Sequence, residues 1–255
     1  MTVNVKPIVK LVDIVKSYKT EQGQEIHVLN NLNAEIPEGE FVVIVGPSGC
    51  GKSTLLFIIA GLEPVNSGTV YLYDVKVTKP SSKLGVVFQE TAIFYWRTVL
   101  GNAQYGLEMK GIKKDKRREI AMKYLKMMNL QDFINSYPKE LSGGMKKRLA
   151  IAMVYANDPE VLLMDEPFTG LDYPIKCRLQ MDLLNIWDKE KKTTIFVTHD
   201  VEEAMMLSDR ILVLDRKKIV LVYDNPFERP RKNKLRDEER FIKEVQKLRS
   251  RFIYL

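Results

Sequence analysis

The stretch "FVVIVGPSGCGKSTLLFIIAG", residues 41 to 61, constrains the fold of this chain more than any other. An apolar run, a glycine-bracketed loop and a second apolar run that Gly61 stops follow one another directly, which reads as strand, turn and helix. Within it "GPSGCGKST", residues 46 to 54, fits G-x-x-x-x-G-K-[ST], and the strand before and helix after supply the context of a phosphate loop. Gly46, Pro47, Ser48, Gly49, Cys50, Gly51 and Thr54 form a loop whose N–H groups wrap the β- and γ-phosphates of a nucleotide. Lys52 adds a point charge, and the Ser53 hydroxyl is placed to ligate Mg²⁺. Cys50 fills space here, because the loop works through its backbone. The plain alternative is an ordinary glycine-rich turn.

Two more apolar runs end in polar residues. "VLLMDEP", residues 161 to 167, reads as a buried strand with two carboxylates at its C-terminal end. Asp165 suits Mg²⁺, through a water, because a hard cation takes oxygen ligands, and Glu166 is the candidate general base for a water attacking the γ-phosphate. A surface turn is the plain reading of such a pair, and the phosphate loop elsewhere in the chain shifts the balance. His199, one of two histidines, follows the run "IFVT" and is placed to bond the γ-phosphate and the attacking water. Gln89 ends "VVFQ" in the same way, so its amide oxygen is a candidate for the metal. His27, in the early strand region, has an ordinary structural reading.

The rest of the chain reads as α/β. Residues 3 to 15 and 25 to 45 predict a small antiparallel sheet ending in the buried strand "FVVIVG", and "GTVYLYD" and "KLGVVFQ" read as further strands. Thr98 to Asn157 is helical and reads as an insertion. After it "VLLMDEP", "TTIFVTHD" and "RILVLDRKKIVLVY" alternate with helical stretches such as "PIKCRLQMDLLNIWDKE", which argues for a parallel sheet. The expected division is a nucleotide-binding core over 1–89 and 158–224, a helical subdomain over 90–157 and a basic tail over 225–255. With 45% apolar and 29% charged residues the chain has a globular composition, and no window approaches the ~18 apolar residues of a membrane span. The N-terminus carries no signal-peptide pattern, which predicts a cytoplasmic protein. Two cysteines, Cys50 and Cys177, make no disulfide framework or metal pair.

A separate question is posed by "KELSGGMKKR", residues 139 to 148, where adjacent glycines open an apparently amphipathic helix. Glycine is poor inside a helix, but at its mouth it lets an anion approach exposed N–H groups. Taken with the phosphate loop, "VVFQ", "VLLMDEP", "TGLD" and "VTHD", the run "LSGGM" resembles the signature of the nucleotide-binding subunits of ATP-binding cassette transporters. All these motifs stand in that family's order, and the resemblance extends to about Tyr223. It implies a P-loop NTPase (RecA-like) core with an antiparallel β subdomain and a helical insertion, acting as an ATPase with ATP and Mg²⁺.

By the same resemblance two cassettes pair head to tail, so that Ser142, Gly143 and Gly144 meet ATP held by a second copy, with Asp172 lying across the interface. Tyr18 matches the aromatic residue that stacks on adenine, although from the residues alone it is equally a strand-end packing residue. The other implied partners are transmembrane permease subunits at the cytoplasmic face of the membrane and, indirectly, a solute-binding protein. "FYWRTVLGNAQYGLEMKG", "LSGGM" and "THDVEEAM" look most like the importers of nitrate, sulfonate, taurine and related small solutes. Met145 departs from the family's usual glutamine at the fifth signature position. Phe94, Tyr95 and Trp96 read either as a docking surface for a membrane partner or as packing of the subdomain hinge.

Two rival readings remain at this stage: a cassette ATPase acting on nucleic acid or the ribosome, and a P-loop kinase or nucleotide-binding regulator. The single cassette and the short interval from Gln89 to Ser142 favour transport over the first, and no nucleic acid partner is expected. From Asn225 onward ten Lys/Arg stand against five Asp/Glu. "NPFERPRKNK" reads as a linker, followed by a helix with Phe241, Val245 and Leu248 on one side, which either packs on the cassette or lies near a membrane surface.

Overall fold

The computed structural model describes residues 6–253, and its side chains as far as Ser250. Residues 3–5 of the first predicted strand and the final two residues of the tail lie outside the described part. The chain divides into two compact units, Met1–Ser81 with Lys191–Leu255, and Ser82–Glu190.

The first unit holds two sheets. Strands β1 (Pro7–Lys19) and β2 (Glu25–Pro37) pair antiparallel, with β4 (Ser67–Leu72) on the other side of β1 and the short β5 (Val75–Lys76) beyond it. Strand β3 (Phe41–Val45) does not end this sheet, as the sequence predicts, but joins the other one. It lies between β8 (Thr193–Thr198) and β9 (Arg210–Asp215), parallel to both. Every residue of β3 and β8 is buried, the pattern of parallel strands covered on both faces, and the Val- and Ile-rich runs meet that demand. The stretch 210–224 is a hairpin rather than one strand: Arg216 and Lys217 have φ 45° and 70°, and β10 (Lys218–Asp224) returns antiparallel to β9.

Helix α1 (Lys52–Ile59) follows the phosphate loop, and α6 (Val201–Leu207) follows β8. The predicted linker is also built into this unit. Arg229 binds Asp209 Oδ1 at 2.5 Å, and Asp209 Oδ2 accepts from the N–H of Phe41 at 2.9 Å, where β3 begins. Helix α7 (Glu239–Ile253) places Phe241, Val245 and Leu248 inward, and the Phe241 ring lies 5.4 Å from that of Phe227. The tail thus packs on the cassette.

In the second unit β6 (Leu84–Val87) and β7 (Val161–Asp165) pair parallel, with α2 (Val99–Met109), α3 (Lys114–Met127), α4 (Gly143–Ala156) and α5 (Tyr173–Glu190) around them. The predicted helical character of 98–157 is present in α2, α3 and α4. Helix α4 is less amphipathic than its sequence suggests. From Leu149 onward Ala150, Ile151, Ala152, Tyr155 and Ala156 are all buried, the small residues allowing neighbours close approach. Arg148 and Asp182, both largely buried, form an ion pair of 2.9 Å that ties α4 to α5. Burial raises the Asp182 carboxyl above its ordinary range, opposed by the charges of Arg148 and Arg178.

Candidate functional site

Three buried strands deliver polar residues at their C-terminal ends, because a strand covered on both faces can present them only where it leaves the sheet. In the first unit β3 opens into the phosphate loop and β8 into His199. The register pairs Val45 with Thr198, so Gly46 and His199 follow directly neighbouring residues. His199 is exposed.

The loop can form only with glycine at its constrained points. A Cβ on Gly46 would stand 2.4 Å from the Leu214 carbonyl oxygen, and Gly49 and Gly51 have φ +80° and +102°. Pro47, Ser48 and Gly49 are exposed, Cys50 and Ser53 are intermediate, and Gly51 is buried against Val28 and Leu29 of β2. Lys52 is buried, and its ammonium donates to the carbonyls of Gly46 at 2.8 Å and Pro47 at 3.0 Å. Its charge therefore lies within the loop's own ring of backbone. Thr54 is intermediate, and the apolar buried face of α1 begins at Leu55. Burial pushes the Cys50 thiol up, although Lys52 and backbone N–H groups pull it down, so Cys50 is a protonated filler rather than a nucleophile.

Tyr18, near the end of β1, is 40% exposed and pairs with Ile26 of β2, with the Lys16 ammonium 4.7 Å from its ring centroid. The ring is thus partly exposed, with the Lys16 ammonium over it. His27 bonds Ser17 Oγ through Nδ1 at 2.7 Å, in keeping with its structural reading.

In the second unit β7 ends in Asp165, only 3% exposed, and then turns sharply. Glu166 has φ 39°, a left-handed conformation uncommon outside glycine. Thr169 holds it there: the Thr169 hydroxyl donates to Glu166 Oε2 at 3.0 Å and its N–H to the Glu166 carbonyl at 3.2 Å. The left-handed backbone and the Thr169 bonds together hold the Glu166 carboxylate at the start of this turn. Asp172 is exposed on the following loop, and its carbonyl accepts the first-turn N–H of Lys176 in α5.

The glycines of the signature divide their work. Ser142 caps α4, its Oγ accepting from Met145 N at 3.3 Å, and Ser142 and Gly143 are exposed at the helix mouth. Gly144 is buried, and a Cβ there would lie 3.0 Å from Ile175 Cγ2 of α5. The first glycine leaves the mouth open and the second lets the helix start close to α5. Gln89 is exposed, with its carbonyl bonded by the Lys147 ammonium of α4. Burial lowers the pKa of that lysine. The link joins the "VVFQ" and "LSGGM" segments within one unit. Lys147 and Thr169 were missed in the sequence, Lys147 because a lysine on a helix reads as a solvated face and Thr169 because its partner is set by a turn. Tyr95 and Trp96 are exposed, Trp96 by 74%, while the Phe94 ring lies 4.3 Å from that of Tyr105. Phe94 is packing and its two neighbours are surface.

A phosphate loop at the end of a parallel strand, a braced carboxylate after a second buried strand, and a capped, open helix mouth define a nucleotide-hydrolysing cassette. The family model described as ABC transporter matches residues 29–169, and the chain belongs to that family as an ATP-binding ATPase. An uncharacterized ABC transporter ATP-binding protein of Methanocaldococcus jannaschii is 51% identical over 211 residues, covering 82% of this chain and 79% of its own. The aliphatic sulfonates import ATP-binding protein SsuB of Bacillus cereus is 46% identical over 223 residues, 86% of this chain and 87% of its own. A solved dimeric ATP-binding cassette in a post-hydrolysis state with ADP and Pi superposes with a TM-score of 0.77 at 34% identity, covering 86% of this chain and all of that one. The P-loop α/β fold expected from the sequence is thereby established.

Proposed function

We propose that this ATPase energises the import of a small anionic solute of the sulfonate class through separate transmembrane subunits, on the cytoplasmic face of the membrane. The observation that carries the reading is the likeness to an aliphatic sulfonates import protein across 87% of that protein's length. No described helix is long and apolar enough to cross a membrane, so a transport role requires membrane partners. Exposed Tyr95 and Trp96 are a surface that suits an inserted helix of such a partner. A solute-binding protein delivers the cargo to those subunits and does not meet this chain. Ligand identification on the complex purified with its membrane subunits tests the cargo.

Hydrolysis follows from the residues in their units. Tyr18 offers its exposed ring to adenine. The amides from Gly46 to Thr54 hold the phosphates, and the Lys52 ammonium transfers from the Gly46 and Pro47 carbonyls to phosphate oxygens. Ser53 in the first unit and Asp165 and Gln89 in the second each offer oxygen donors, the kind that a hard cation such as Mg²⁺ takes, and are the residues that would hold it. Such a cation would supply charge neutralisation for the phosphates during transfer. Glu166, aimed by Thr169, takes the proton of the attacking water, and His199 bonds the γ-phosphate and that water.

Ser142 and the amides at the mouth of α4 complete the γ-phosphate site of a second copy, with Asp172 at the shared boundary. This use of α4 is supported by the dimeric form of the solved cassette and by the exposure of Ser142 and Gly143. Replacing Glu166 by Gln should keep ATP binding, lower turnover by at least about a hundredfold and accumulate ATP-bound dimer in size-exclusion chromatography. Unchanged turnover would remove Glu166 from the role of base.

A further inference from the structure

His199 sits between two anchored neighbours. The Thr198 hydroxyl donates to buried Glu203 and accepts the Asp200 N–H at 3.0 Å, and Asp200 Oδ1 accepts the N–H groups of Glu202 at 2.9 Å and Glu203 at 3.3 Å. His199 therefore lies between the end of β8 and the Asp200 cap of α6, with both neighbours bonded into the first turn of that helix. That helix spans only Val201–Leu207, too short to hold a direction through its own hydrogen bonds. Whatever grips α6 therefore bears on His199 from the C-terminal side, as the end of β8 does from the N-terminal side.

The segment after β10 grips it at both ends. Asn225 Nδ2 donates to the carbonyls of Met205 at 2.7 Å and Ser208 at 2.8 Å, and Arg229 Nη2 to that of Leu207 at 2.6 Å. Arg231, 4% exposed, donates through Nη1 to Ser208 at 2.6 Å and Met206 at 3.2 Å, and through Nη2 to its own segment at Phe227 at 2.6 Å. Two guanidiniums at the carbonyl end of a helix complement its dipole and satisfy its unpaired acceptors. At the opposite end Arg236 Nη1, on a largely buried side chain, pairs with Glu202 Oε1. Helix α7 closes the side of α6 with its apolar face.

We propose that residues 225–248 form a clasp on α6 that positions His199, with the Arg236–Glu202 pair as the contact that sets the angle of its first turn. Arg231 and Arg236 are positioning residues, acting on the reaction through α6. The inference rests on the reading of His199 given above. A tail that served only to cover apolar surface would not need cations and an amide aimed at the carbonyl end of α6 and a further cation on Glu202, three residues from His199. The Arg236 pair is the place to test it, because it lies outside the apolar contacts of α7.

Arg236→Gln and Glu202→Gln should each lower kcat by about fivefold or more while KM for ATP moves less than about twofold. Each single variant leaves one charge of a largely buried pair unpaired and lowers the unfolding temperature, so kcat is read well below the midpoint, where the variants remain folded. The double variant Arg236→Glu with Glu202→Arg, which restores the pair with charges exchanged, should recover at least about half of kcat. Wild-type kcat in the single variants, loss confined to KM, or no recovery on exchange would overturn the clasp, provided His199→Ala is inactive. His199→Ala with wild-type turnover would overturn the reading of His199 itself, which keeps the two failures apart.

Discussion

Cys50 shows how far a residue's chemistry is decided by its surroundings. In sequence it is a thiol between two glycines of a phosphate loop and beside a lysine, a setting that on charge alone lowers a thiol pKa. In the folded loop burial outweighs Lys52 and the thiol is raised instead. Iodoacetamide should therefore label Cys50 more slowly at pH 7 than free cysteine, with the rate climbing only as pH passes the ordinary thiol range, and Cys50→Ala should keep turnover within about twofold. Labelling faster than free cysteine would make the thiol activated. Gly143 and Gly144 teach the complementary point. Adjacent and identical in the sequence, they differ because one faces solvent and the other Ile175. The phosphate loop was legible because its residues are contiguous and its backbone geometry is local. The braces of the site, Thr169 on Glu166 and Lys147 on Gln89, were not, since each depends on where a turn or a second helix places a side chain.

Among the elements, α7 was the best marked and the least interpretable. The spacing of Phe241, Val245 and Leu248 identifies an apolar stripe, but a stripe of that kind serves a membrane surface and a protein groove equally. Burial of all three decides for the groove. Phe241, 2% exposed and in contact with Phe227, should cost about 3–5 kcal/mol when replaced by Ala, read as a shift in urea midpoint with unchanged slope. A change below about 0.5 kcal/mol would mean the helix is an appendage. The sequence does not show that β3 joins the parallel sheet or that 210–224 turns back as a hairpin, for a shared reason. Apolar runs announce strands, while partners and turns such as Arg216-Lys217 depend on pairings far along the chain.

At the scale of the whole molecule, the chain carries a phosphate-binding half in one unit and an open signature helix in the other. If α4 serves a second copy, turnover should rise more than linearly with protein concentration. Ser142→Arg should abolish that cooperativity while monomer ATP binding, followed by equilibrium titration, stays intact. Wild-type cooperativity in Ser142→Arg would defeat the use of α4 in trans. Met145 should leave hydrolysis intact in either case, since its contribution to the mouth is a backbone N–H given to Ser142. What the sequence by itself determined was the chemistry: contiguous motifs in fixed order, each with residues whose donors, acceptors and charges suit one task, name an ATP-hydrolysing cassette. What only the tertiary structure decided was support and aim, namely which sheet β3 joins, that Lys147 reaches the Gln89 carbonyl, that the tail folds back, and that α6 is held at both ends. Those depend on contacts between residues distant in the chain, which no local spacing encodes, because the free energy of such a contact exists only once the intervening chain has been folded to bring its partners together.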